Sequence, residues 1–264
     1  MMFIFFIGGF MRKFLGVIIM NAILTTTVSA WSYLDELKKT DPEFAQFFAA
    51  FSQNEVVNEN GVRLDEKTRH IAILAAMLGR GAVDFYPEML AESLEKGVTP
   101  VEAREILYQA VAYCGIGRIY PFFKATNYVF KKKKIRIPLA GQSTTTPETR
   151  LQKGAEKQVE IFGEGMRDFY KKGYMNRWLA DNCFGDYYTR TGLTVQQREL
   201  VTFCYIAADG TNEAQLRAHI NGNNLVGNNK EFLISVASQI MPYIGYPRTL
   251  NIIAAVNETL GDKK

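Results

Sequence analysis

Tyr113-Cys114-Gly115-Ile116-Gly117-Arg118 and Tyr243-Ile244-Gly245-Tyr246-Pro247-Arg248 are one Tyr-x-Gly-x-x-Arg phrase written twice, about 130 residues apart in a chain of 264. Outward from it the match continues. Gly97 pairs with Gly227 and, after one inserted residue, Leu64 and Arg69 pair with Leu193 and Arg198. Arg63 to Phe130 and Gly192 to Glu258 share the same order of cues: a polar start, an apolar helix, a second helix, a Gly turn, a long helix, then the motif. Self-similarity at such a period reads as a duplicated supersecondary unit.

Helical periodicity dominates both copies. The runs Ile71 to Gly79 and Leu200 to Gly210 are apolar and end at Gly, as helices with Gly C-caps do. Thr99-Pro100 offers an N-cap residue followed by Pro at the first helical position. No stretch alternates with period two for long enough to predict a strand. The fold class is therefore all-α, two tandem helical-bundle repeats. Ile135 to Thr149 holds two prolines and a Thr-rich run, and Pro147-Glu148 starts a new helical pattern. The predicted organisation is a signal peptide over 1–30, a first, degenerate repeat over 31–138, a linker over 139–147 and a second repeat over 148–264.

The amino-terminal segment has the layout of a secretory signal; either translation starts at Met11, the reading favoured, or the signal carries an apolar extension over residues 1–10. Arg12-Lys13 supply the charge, Phe14 to Leu24 the apolar run, and Val28-Ser29-Ala30 the small-residue cleavage site. The run is short for a membrane span, so no stable span is expected after cleavage, and the expected location is periplasmic or secreted. Losing Arg12 and Lys13 lowers the formal charge from +4 to +2, which gives no reason to expect a nucleic-acid partner. Lys131 to Lys134 read as cations at a helix C-terminus. Cys114, Cys183 and Cys204 are widely spaced with no C-x-x-C pair, so they read as buried small hydrophobes.

Candidate chemistry lies in Asn212 to Asn223, read as one helix. At about 100° per residue, Asn212, Gln215, His219 and Asn223 fall within about 80° of arc. Imidazole moves protons near neutral pH, and flanking amides could fix its tautomer and orient a carboxylate. Glu199, at the start of the preceding helix, could approach His219 as its partner carboxylate if the two helices pack antiparallel; an exposed ion pair is the other reading. Two histidines cannot build a His-rich metal centre, Gly79-Arg80-Gly81 is no phosphate loop, and no Ser-His-Asp elbow is present.

Arg198-Glu199-Leu200, the helix carrying His219, Asn224-Leu225-Val226-Gly227, Glu231 and Tyr243 to Asn251 together resemble the carboxymuconolactone decarboxylase family; Phe184 to Tyr188 and Arg190-x-Gly192-Leu193 are similar to the lead-in found there. That resemblance implies about six helices per unit, self-association with a trimer expected, and cofactor-free decarboxylation of a carboxylated lactone. The sister branch, similar to alkyl hydroperoxide reductase D, places a C-x-x-C pair one turn before the His, where this chain has Asn212 and Gln215. Thiol peroxidase chemistry needs that pair. In the first repeat the His219 position is Met89 and His70 stands opposite Glu199, so the proton-transfer pair is broken up and His70 reads as a surface or helix-start residue.

The expected function is that of an exported lyase without cofactor or metal, acting on a small carboxylated acid. His219 and Glu199 are its catalytic candidates, and Asn212, Gln215, Asn223 and Arg248 its substrate-binding candidates, with Arg248 as a carboxylate clamp. Two alternatives stand beside it: a redox protein using lone Cys114 or Cys204, and a non-catalytic oligomeric binding module.

Overall fold

The computed structural model describes residues 32–210 and 213–261. The segment read as a signal peptide, 1–30, lies outside them. Among the described residues there is no strand, and no helix is long and apolar enough to cross a membrane.

The first repeat runs α1 (Ser32–Thr40), α2 (Pro42–Ala49), a wide π-helical turn over Ala50–Glu55, α3 (Val56–Asn58), α4 (Glu66–Arg80), α5 (Tyr86–Glu95) and α6 (Pro100–Lys132). The second runs α7 (Arg150–Phe162), α8 (Tyr174–Trp178), another π-helical stretch over Leu179–Tyr188, α9 (Val195–Asp209), α10 (Glu213–Leu225), α11 (Lys230–Ile244) and α12 (Tyr246–Thr259). Thr99 and Thr194 start α6 and α9 with full capping boxes, each hydroxyl accepting from the N3 amide while the N3 side chain reaches back. These caps fix the register of the two helices that face the site.

The twice-written motif now has a physical reading. Gly115 takes φ 74° and ψ 149°, and Gly245 takes φ 86° and ψ 158°, a region that only glycine enters freely, so α6 breaks where α11 gives way to α12. In each repeat the long helix expected before the motif runs unbroken to the motif glycine, and another helix starts beyond it. The motif arginine returns to the end of an earlier helix. Arg118 donates to the Gly79 carbonyl at 2.6 Å, and Arg248 lies 3.4 Å from the Asp209 carbonyl, where the last turns leave acceptors unfilled.

The described residues form one compact unit, with a main hydrophobic core running from Leu34 to Val256 and a second, smaller cluster of Ile161, Cys183, Phe184 and Tyr188. The repeats join through α4 and α9. Gly79 is not the C-cap its position suggests: Gly81 caps α4 in the left-handed conformation, and Gly79 sits inside the helix, where a Cβ would come 2.5 Å from the Tyr205 carbonyl and 3.0 Å from Ala208 Cβ. Two cross-braces span the joint. Arg69 Nε donates to Gln239 Oε1 at 2.9 Å, and Arg198 Nη1 donates to Gln109 Oε1 at 2.8 Å, each arginine bonding a glutamine of the other repeat. Glu105 pairs with both Arg198 and Arg190, so the buried guanidinium of Arg198 keeps a counter-charge.

Candidate active site

Glu199 stands in the first turns of α9 and is fully buried; His219 stands midway along α10 with 8% exposure. Glu199 Oε2 lies 2.9 Å from His219 Nδ1. The close approach depends on Gly222, because a Cβ there would fall 2.5 Å from Glu199 Oε2 and 2.7 Å from Phe162 Cε1. The imidazole is held edge-on between the rings of Tyr113 and Phe162, both centroids 5.5 Å away.

The second carboxylate oxygen is also engaged. Tyr188 Oη donates to Glu199 Oε1 at 2.8 Å and lies 2.7 Å from Thr202 Oγ1 and 3.0 Å from Tyr113 Oη. Burial holds both phenols neutral, well above the usual tyrosine range, so they serve as hydrogen-bond groups. With both carboxylate oxygens accepting, His219 carries its proton on Nδ1. Its Nε2 has no polar partner among the described residues and is the nitrogen left to exchange a proton with a ligand.

The remaining predicted site residues separate. Asn223 is buried, but its amide holds backbone: it donates to the Glu199 and His219 carbonyls and accepts from Asn228. Gln215 is exposed, so the expected polar stripe splits; the first turn of α10 reaches past the elements that cover His219 and Asn223. Asn212 lies outside the described residues. Arg248 lines a cleft of about 420 Å³ with Arg217, Glu213 and Glu258, and neither Glu199 nor His219 borders it.

In the first repeat His70 is 1% exposed, not at the surface as its position at the helix start suggests. Ser93 donates its hydroxyl to the Met89 carbonyl, so His70 Nδ1 must donate to Ser93 Oγ at 3.1 Å and Nε2 carries the lone pair. Burial first, then the charge of Arg69, pushes the His70 pKa down to about 3. Its 3.7 Å approach to Glu92 is therefore no ion pair at neutral pH.

Tyr113, Tyr188, Thr202, Gln109 and Phe162 escaped sequence reading as site residues. Tyr113 carried a signal in the repeated motif, and Tyr188 in the Phe184 to Tyr188 lead-in. All three cysteines are free. Burial pushes the Cys114 thiol up to about 11 and Cys183 up to about 12, and raises Cys204 further. Among the described residues no three His, Cys, Asp or Glu side chains converge as metal ligands.

The carboxymuconolactone decarboxylase family model matches this sequence twice, over residues 42–127 and 174–258. No curated protein matches the chain. A solved structure from Burkholderia xenovorans, provisionally described as a γ-carboxymuconolactone decarboxylase subunit, is 21% identical; the match covers 85% of this chain and 86% of that one, with a TM-score of 0.47. With two matches that together span more than half its length, one on each helical repeat, the chain belongs to the carboxymuconolactone decarboxylase family.

Proposed function

We propose that this protein is a lyase working by cofactor-free acid/base chemistry on a small carboxylated, lactone-like acid. The observation that carries the reading is the buried Glu199–His219 pair, with Nδ1 bound to the carboxylate and Nε2 free. In a decarboxylation the bond to the carboxylate carbon breaks, CO2 leaves, and the electron pair moves into the conjugated carbonyl system. Imidazolium then delivers one proton from Nε2 to carbon, and solvent restores it. Glu199 stabilises the imidazolium between those steps.

The thiols do not favour the peroxidase reading: their raised pKa values leave almost no thiolate at neutral pH. Export is part of the proposal and rests on Arg12-Lys13, the apolar run and Val28-Ser29-Ala30. Self-association is part of it too. Ile116 and Tyr120 in the first repeat and Tyr246 and Leu250 in the second occupy matching positions after the Gly break, and all four are more than half exposed.

The test is turnover of a carboxylated muconolactone by the purified protein, followed as CO2 release, with His219→Ala beside it. Release that disappears in the variant supports the lyase. No release from the folded wild-type protein overturns this substrate class and moves the assignment to a binding module.

A further inference from the structure

We infer that the first repeat is a working part of the second repeat's site: Gln109 and Tyr113 are positioning residues that feed a one-way hydrogen-bond chain into Glu199. The inference rests on reading Glu199 and His219 as the acid/base pair. Every polarity in the chain follows from its ends. Arg198 can only donate, so Gln109 Oε1 accepts from it at 2.8 Å, and Gln109 Nε2 is forced to donate to Thr202 Oγ1 and to the Arg198 carbonyl, both at 2.9 Å. Tyr188 gives its only proton to Glu199, and must therefore accept from Thr202 at 2.7 Å and from Tyr113 at 3.0 Å. Tyr113 in turn accepts from the Cys183 thiol at 3.7 Å.

Two branches thus converge: Arg198 to Gln109 to Thr202 to Tyr188, and Cys183 to Tyr113 to Tyr188. Both end on Glu199 Oε1, leaving Oε2 for His219. Gln109 and Tyr113 lie on α6 of the first repeat, a turn apart, and no residue of the second repeat supplies their groups. The cross-brace that joins the repeats is also the source of the chain's direction. The groups around the pair are Cys183 and Tyr188 from the π-helical stretch, Thr202 from α9, Tyr113 from α6 and Phe162 from α7; Arg198 is turned away toward Glu105.

Donors delivered to a carboxylate stabilise its ionised form. Removing a link behind Tyr188 weakens its donation to Glu199 and so raises the proton affinity of the Glu199–His219 pair, whose titration moves to higher pH. The chain has only two histidines, and side-chain nitrogen NMR resolves both without substrate. The His219→Asn protein assigns the signals, and His70, driven down to about 3, stays silent above pH 5. In the wild-type protein, neutral His219 should be protonated on Nδ1. In Tyr113→Phe and Thr202→Val the midpoint should rise by about half a unit. Thr202→Ser, which keeps the hydroxyl, should restore the wild-type value, as no purely structural role would require. A neutral wild-type imidazole protonated on Nε2 overturns the inference, as do unshifted midpoints in the two folded variants. Because nothing is turned over in this measurement, loss of the lyase reading and loss of the relay show up in separate experiments.

Discussion

Glu199 and His219 lie on different helices, twenty positions apart, and meet at 2.9 Å with the carboxylate fully buried and the histidine 8% exposed. The contact sets the tautomer. Glu199→Gln replaces an acceptor by an amide that donates to Nδ1, which moves the neutral imidazole's proton to Nε2 and removes the charge that stabilises the imidazolium. With a carboxylated muconolactone as substrate, kcat should fall by about 10²- to 10⁴-fold with little change in thermal stability. Full activity in that variant would remove Glu199 from the mechanism.

Gly222→Ala should disable the pair without touching either member. The added methyl would sit 2.5 Å from Glu199 Oε2 and 2.7 Å from the Phe162 ring, so the carboxylate must swing away from His219. The expected result is a folded protein whose His219 titration no longer matches that of the wild type. An unchanged titration would mean that the ring of Phe162 takes up the displacement.

Gly79→Ala tests the joint between repeats. A Cβ 2.5 Å from the Tyr205 carbonyl forces α4 and α9 apart, at a cost of about 1–3 kcal/mol in urea denaturation. Gly117→Ala is the control: it is helical, exposed and free of neighbours within 4 Å, so the same exchange there should be neutral or stabilising by about 0.5–1 kcal/mol.

His70 makes folding sensitive to acid. Its folded pKa is about 3 against 6.5 for the free side chain, so the unfolded chain binds a proton that the folded one refuses. The stability it permits is intact above pH 6.5 and is lost as the pH falls from 6.5 toward 3. Urea midpoints measured between pH 7 and pH 4 should fall less steeply in His70→Gln than in the wild type. Equal slopes would show that His70 protonates in place.

The thiols should be slow. With Cys183 and Cys204 buried and Cys114 pushed up to about 11, iodoacetamide at neutral pH should label the native protein far more slowly than the denatured one, and no hydroperoxide should be consumed. Rapid labelling of one native thiol together with hydroperoxide loss would restore the redox alternative.

Much of the architecture is local and therefore readable in one dimension. Thr99-Pro100 announces a helix start because an N-cap hydroxyl and a pre-set φ act within one turn, and the capping box at Thr99 is what forms. The duplicated Tyr-x-Gly-x-x-Arg phrase marks the same break in both repeats because positive φ with ψ near 150° is a conformation that glycine alone enters freely. Glu199 and His219 stood out for their chemistry and their spacing on adjacent helices.

What the chain alone did not determine is which distant helix closes over each face. Helical periodicity places Gln215 with His219, yet the neighbouring elements cover one and leave the other in solvent. The Tyr-x-Gly-x-x-Arg arginine of the second repeat turns to the end of α9, away from the pair. Tyr113 meets Tyr188, and Gln109 meets Thr202 and Arg198, because α4 and α9 pack backbone to backbone at Gly79 and the two arginine–glutamine braces lock that joint. Capping and periodicity are governed by neighbours a few residues apart, whereas a hydrogen-bond chain that crosses two repeats exists only once burial has brought its members together and denied them water.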